Sequence, residues 1–238
     1  MADSPADELR AEEFLVAYNA IDRFLRSRLD LDRHSSFRSV VDRYASKHPW
    51  WRRDAEALRA FAELRNVIVH ERFERFKYIS IPAQEVVAEI SAIRDRLISP
   101  ETVQNVAGRD VFTVDAAASL ADLLRLVDEK RINQLPVYGA GRFQGLVTSK
   151  GVLAWLAVNS VRNGPLLDLT AVSVAELLRL EGARHNCDFV ARDMPVDEAA
   201  FLFANNPQLE ALLVTEHGKQ HQGLIGIMTQ RDAAGLFD

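Results

Sequence analysis

The sequence predicts a multi-domain α+β protein: an all-α domain of four helices over residues 1–98, then two αβ units over 99–160 and 161–238. Three observations predict it. Apolar residues recur at helical spacing through the first 98 residues, as in Phe14, Leu15, Tyr18, Ile21, Leu25 and Leu29. The later part carries a stretch and its weakened echo, Gly226-Ile227-Met228-Thr229-Gln230-Arg231-Asp232 and Gly145-Leu146-Val147-Thr148-Ser149-Lys150-Gly151. The same order of elements precedes each copy.

In the first domain the helical pattern continues in Phe37, Val40, Val41 and Tyr44, and again in Leu58, Phe61, Leu64, Val67 and Ile68. After Pro82 a last helix is expected over Ala83 to Leu97, and Ser99-Pro100 ends it. Between the second and third helices, Lys47 to Arg53 mixes basic residues with Trp50 and Trp51. Single-stranded RNA could stack there, but a connecting loop packed by its tryptophans accounts for it more simply.

In the first αβ unit, a strand over Val111 to Val114 is followed by a helix over Ser119 to Glu129. A strand at Leu135 to Tyr138 and another over Phe143 to Val147 complete it. The glycines of Gly139-Ala140-Gly141 suit the hairpin between the last two strands. The second unit repeats this with strand Phe189 to Ala191, helix Val196 to Ala204, and strands at Ala211 to Val214 and Gln222 to Met228.

Composition agrees with a soluble cytoplasmic protein. Apolar residues make up 48% of the 238, enough for more than one core, and no apolar run has the length of a membrane span. The start, Met1-Ala2-Asp3-Ser4-Pro5, lacks the basic then apolar order of a signal peptide. Cys187 is the single cysteine, so no intramolecular disulfide can form. The net charge of −5 falls on residues 99–238, and the first 98 are neutral, which excludes a polybasic nucleic-acid binder. Within the first domain, residues 38–77 are locally basic, with ten Lys and Arg against six Asp and Glu. No metal site is assigned.

The duplicated order of elements, closing on Thr229-x-x-Asp232, resembles a tandem pair of CBS domains, the module named after cystathionine β-synthase, over residues 99 to 238. The resemblance implies a regulatory adenine-nucleotide ligand (AMP, ADP or ATP-like), held in a site crossed between repeats. Asp232 would take the ribose hydroxyls and Thr229 a ribose or phosphate oxygen. Arg131 or Arg231 would hold the phosphate, and Phe112, Ile132 and Pro136 would sandwich the base. The other crossed site has Gly151 in place of the carboxylate, and its partner segment carries the acidic Glu210. One nucleotide per chain is therefore expected.

On the third helix lies Arg65-Asn66-Val67-Ile68-Val69-His70, with Asn66 and His70 four apart and hence on one face. This pattern on a late helix of a short four-helix unit resembles the HEPN superfamily, over residues 10 to 97. Members that cut RNA use such residues in a cleft shared by two chains. The resemblance implies a metal-independent endoribonuclease acting on single-stranded RNA, with a homodimer as the working form. Arg65 would stabilise the charged phosphorane, Asn66 would orient groups and His70 would act as general acid or base. The alternative is a non-enzymatic ligand-sensing module whose helical domain dimerises or recruits a partner. Apolar residues Val152, Leu153, Leu156 and Val158 are the expected dimer surface.

Overall fold

In the computed structural model of the chain, the residues described are 5–32, 34–70, 72–74, 77–78, 80–163, 167–181 and 185–234. They form two compact units, Met1–Glu101 and Thr102–Asp238.

The first unit contains helices α1 (Pro5–Leu29), α2 (Phe37–Lys47), α3 (Arg52–His70) and α4 (Gln84–Ile98), with a short antiparallel hairpin of β1 (Arg72–Glu74) and β2 (Lys77–Tyr78) before α4. The hairpin is an addition to the expected four helices. Ser36 starts α2 by accepting the Ser39 N–H on its hydroxyl at 3.2 Å, satisfying one of the donors that a helix start leaves unpaired. Phe14, Ile21 and Leu25 of α1, Val40 and Val41 of α2, Leu58 and Ile68 of α3, and Ile90 and Ile93 of α4 make one apolar core. Between α2 and α3 the chain makes a single 3-10 turn over Pro49–Trp51. Trp51 is buried there against Tyr44, ring centroids 4.9 Å apart, so this loop is packed by its aromatics. No described helix is long and apolar enough to cross a membrane.

The second unit opens with the one-turn helix α5 (Val103–Val106). Repeat one then has β3 (Val114–Asp115), α6 (Leu120–Lys130), β4 (Gln134–Gly139), β5 (Arg142–Thr148) and α7 (Ser149–Asn163). Repeat two has α8 (Val174–Glu181), β6 (Cys187–Ala191), α9 (Val196–Asn205), β7 (Ala211–Thr215), β8 (Leu224–Thr229) and α10 (Gln230–Ala234). Each repeat builds a three-stranded sheet, β3-β4-β5 and β6-β7-β8, whose first pair is parallel and whose second is antiparallel. The expected strand from Val111 is shorter: only Val114 and Asp115 pair, because the Val111 N–H turns back onto Arg109 O at 3.0 Å. The Gly139-Ala140-Gly141 segment is the hairpin turn, with φ of 49° at Ala140 and 72° at Gly141, both positive as such turns require.

The two repeats exchange their leading segments. Residues 102–108 lie on repeat two, where Val103 N–H bonds Met194 O and Gln104 N–H bonds Arg192 O. Residues 173–175 lie on repeat one, where Val174 N–H bonds Ala118 O and Ala175 N–H bonds Ala116 O. The hydrogen bonds of one exchange thus repeat those of the other. Val103 and Ala107 complete the apolar core of repeat two, while Val174 and Leu177 complete that of repeat one. Gly226 and Gly145 occupy matching places beneath these segments. A Cβ on Gly226 would lie 3.1 Å from both Ala107 Cβ and Gly108 O, and one on Gly145 would lie 3.0 Å from Leu178 Cδ2. The repeated glycine three residues before each threonine is therefore the clearance for an exchanged segment.

The expected dimer surface on α7 is corrected in part. Val152 is buried in the core of repeat one and Leu156 packs against that core, because both fall on the helix face turned to the sheet. Leu153 and Val161 are 68% and 86% exposed, and they are the prominent apolar residues of the outer face.

Candidate functional site

Each of the repeated stretches leaves its sheet as a strand and turns at once into a helix. At the second, Asp232 Oδ2 accepts the Thr229 backbone N–H at 2.7 Å and the Thr229 hydroxyl at 2.8 Å, while the Asp232 N–H reaches Thr229 Oγ1 at 3.5 Å. Threonine and aspartate three apart thus cap the helix start reciprocally. The capping employs one carboxylate oxygen. Among the described residues, Asp232 Oδ1 accepts no hydrogen bond, and the carboxylate is half-buried.

At the first stretch Thr148 Oγ1 accepts the Gly151 N–H at 3.1 Å, the same cap without its carboxylate half. Lys150, the residue before Gly151, reaches out of repeat one to Glu210 of repeat two, Nζ to Oε1 3.4 Å. The Glu210 side chain is only 16% exposed, and its backbone N–H bonds Asn186 O at 2.7 Å. Asn186 is itself buried and donates to Leu146 O in repeat one at 3.2 Å. The expected charge of Glu210 in this cleft is present, but it is already engaged by an internal lysine. Sequence reasoning did not find that partner, although the basic residue beside Gly151 was a usable signal.

The other residues expected at the nucleotide site are placed as follows. Phe112 and Ile132 are half-buried against the core of repeat one, and Lys130 Nζ stands 5.0 Å from the centroid of the Phe112 ring. Arg131 ends α6 in the left-handed conformation, φ 55°, which projects it outward; its side chain is 85% exposed and pairs with Asp128 at 3.6 Å. A pair so exposed holds the guanidinium weakly, so it can be traded for a phosphate at little cost. Pro136 is buried inside β4, and Arg231 is exposed beside Asp232. Cys187, at the start of β6, is pushed by burial up to about 12, which keeps it a thiol.

In the helical unit, Arg65 is half-buried and Asn66 exposed, both on α3. The Arg65 guanidinium carbon lies 6.0 Å from the centroid of the Tyr18 ring, and its Nη1 reaches Asn66 Oδ1 only at 3.5 Å. Burial, and secondarily the Asp22 carboxylate, raises the Tyr18 phenol above its ordinary value, so it remains protonated. Asp22 is engaged by Arg26 at 2.9 Å. His70 is the last residue of α3, and its side chain lies outside the described residues.

Comparison with known proteins covers the second unit. The CBS domain family matches residues 103–158 and 174–237, together half of the chain. The uncharacterized protein MJ1225 of Methanocaldococcus jannaschii is 27% identical over 94 residues, which is 38% of this chain; the chain spans about a third, 34%, of that relative's length. Among solved structures, a candidate signal-transduction protein with CBS domains from Burkholderia ambifaria is 22% identical, with 58% of this chain and 93% of that one covered and a TM-score of 0.46. The CBS domain pair of protein MJ0100, solved with 5′-methylthioadenosine and S-adenosyl-L-methionine, is 19% identical over 58% of this chain and 96% of that one, TM-score 0.44. On the match across both repeats, the chain belongs to the CBS domain family.

Proposed function

We propose that the CBS pair binds one adenine nucleotide per chain at the Thr229–Asp232 turn, and that this ligand regulates the helical domain. The difference between the two strand-to-helix turns carries the reading. One keeps its carboxylate with an oxygen to spare, while the other has Gly151 and is spanned by the Lys150–Glu210 ion pair. A ribose diol donates two hydrogen bonds, which a carboxylate accepts and a glycine cannot. The crossed partner is supported by the duplication: Lys150 and Glu210 of one cleft correspond to Arg231 and Asn133 of the other, so Arg231 and Asp232 would face the 131–136 segment. There Arg131 or Arg231 takes the phosphate, and Phe112, Ile132 and Pro136 offer apolar contact to the base. Calorimetry tests this. Loss of two charge-assisted bonds in Asp232→Ala should cost about 2 to 4 kcal/mol, or about thirtyfold to nearly a thousandfold in affinity for AMP or ATP. Binding indifferent to Asp232, or two equal sites per chain, would refute it.

For the helical domain we propose metal-independent cleavage of single-stranded RNA in a homodimer, with Arg65, Asn66 and His70 in the roles given above. The exposure of Asn66 and the half-burial of Arg65 favour this over a purely structural motif, because a catalytic guanidinium must remain accessible to phosphate. A substrate 2′-hydroxyl attacking its own phosphate needs no metal-bound water, so cleavage should persist in EDTA and leave a 2′,3′-cyclic phosphate. His70→Ala should slow it by about 10² to 10⁴-fold. A folded, dimeric protein inert on varied RNAs would leave a sensor module without this activity.

A further inference from the structure

A second cleft, of about 810 Å³, opens where the β4–β5 hairpin of repeat one meets the β7–β8 connection of repeat two. That size falls in the range of ligand pockets. The Gln220 amide ties the two hairpins together by donating to Phe143 O at 3.4 Å. Because the cleft touches Leu224, five residues before Thr229 in β8, it lies roughly 16 Å along the strand from the Thr229–Asp232 turn. It is a separate place on the molecule.

Its lining has three chemical parts. An aromatic wall is formed by Tyr138 and Phe143, ring centroids 5.8 Å apart, and is backed by Phe189 at 4.9 Å from Phe143. Positive charge comes from Arg142; the lining, which also includes His221, contains no acidic side chain, and Arg142 has no ion-pair partner among the described residues. Three glutamines supply a mixed set of polar groups. Gln144 and Gln220 each use the amide nitrogen on a backbone carbonyl at 3.4 Å, which leaves their side-chain oxygens as acceptors. Gln222 uses its oxygen on the His217 N–H at 2.9 Å and the Lys219 N–H at 3.3 Å, which leaves its NH₂ as a donor.

We infer that this cleft binds a sugar phosphate. Hydroxyl groups both donate and accept, so a polyol can use acceptors and a donor set side by side. The C–H face of a sugar ring packs on the aromatic wall, and a phosphate takes the fork of the unpaired Arg142 guanidinium. A bare inorganic anion would leave the glutamines and the rings unused.

The test is titration of the full chain with ribose 5-phosphate, ribose and inorganic phosphate by calorimetry. Ribose 5-phosphate should bind saturably and about tenfold or more tightly than either fragment, since each supplies only part of the contacts. Arg142→Ala should weaken it by about tenfold or more, and Gln144→Ala by a smaller factor. Both side chains are exposed, so the variants should keep the wild-type melting temperature. Asp232→Ala should leave ribose 5-phosphate binding unchanged while it weakens nucleotide binding by the roughly thirtyfold or more given above. Equal affinity for phosphate and ribose 5-phosphate would reduce the cleft to an anion patch and overturn the inference. So would binding that survives Arg142→Ala, binding that is lost with Asp232→Ala, or no binding at millimolar ligand.

Discussion

The exchanged segments make a quantitative prediction at Gly226. In Gly226→Ala the added methyl would sit 3.1 Å from Ala107 Cβ and 3.1 Å from Gly108 O, inside ordinary carbon contact distances on both sides. Relief requires the 102–108 segment to move off β8. That segment is held to β8 by two reciprocal hydrogen bonds, Gly108 N–H to Ile227 O and Ile227 N–H to Gly108 O, both 3.0 Å. Overpacking of this kind costs about 1 to 3 kcal/mol, and weakening each of the two bonds adds part of the roughly 0.5 to 1.5 kcal/mol that such a bond contributes. A local destabilisation of about 2 to 4 kcal/mol is expected. Because the chain has two units, a global unfolding curve would mix them, so the assay is native-state hydrogen exchange at the Gly108 and Ile227 amides. Their exchange should quicken by about thirtyfold or more. Gly223→Ala is the matched control, since its Cβ would meet nothing within 4 Å. If both amides in Gly226→Ala exchange within about threefold of wild type, the clearance argument fails.

Three further outcomes are expected. Gly151→Asp should not create a second nucleotide site, because the new carboxylate would share its cleft with Glu210; calorimetry showing two sites per chain in this variant would refute that account. Lys150→Ala removes the partner of the largely buried Glu210 and should lower stability modestly, by about 1 kcal/mol given the exposure of the lysine, with a smaller difference from wild type in high salt. His48, half-buried between Tyr44 and Trp50, is held below the ordinary histidine value of 6.5, first by burial and then by Lys47 and Arg28. Its neutral form is favoured when folded, so the unfolded chain takes up the proton first. Stability of the helical unit should therefore begin to fall as pH drops through 6.5 and stop falling once His48 is charged in the folded state as well, and His48→Phe should flatten this part of a melting-temperature profile.

The strand, helix, strand, strand order within each repeat was legible because it rests on local signals, whereas the leading helices α5 and α8 were not expected. Alternating and helical apolar periods, the Gly139-Ala140-Gly141 turn and the Thr229-x-x-Asp232 cap each act over a few residues. The same holds for the expectation that the two clefts differ, since Gly151 stands where the other repeat has Asp232. Less legible were the short elements. Val111 to Val114 has strand composition, but the turn at Arg109 lets only Val114 and Asp115 reach β4.

What the sequence by itself determined, then, was the duplication, the helical first unit and the place of Thr229 and Asp232 where a strand hands over to a helix. The tertiary structure alone decided which sheet each leading segment covers. Val103 and Ala107 have the same apolar character as Val174 and Leu177, and hydrophobic burial has no direction, so periodicity could not tell that each pair would pack on the opposite repeat. It also decided that Lys150 meets Glu210, 60 residues away, and that the two hairpins close a cleft around Arg142. Contacts between residues so far apart in the chain depend on how whole sheets are placed, and no local pattern records that.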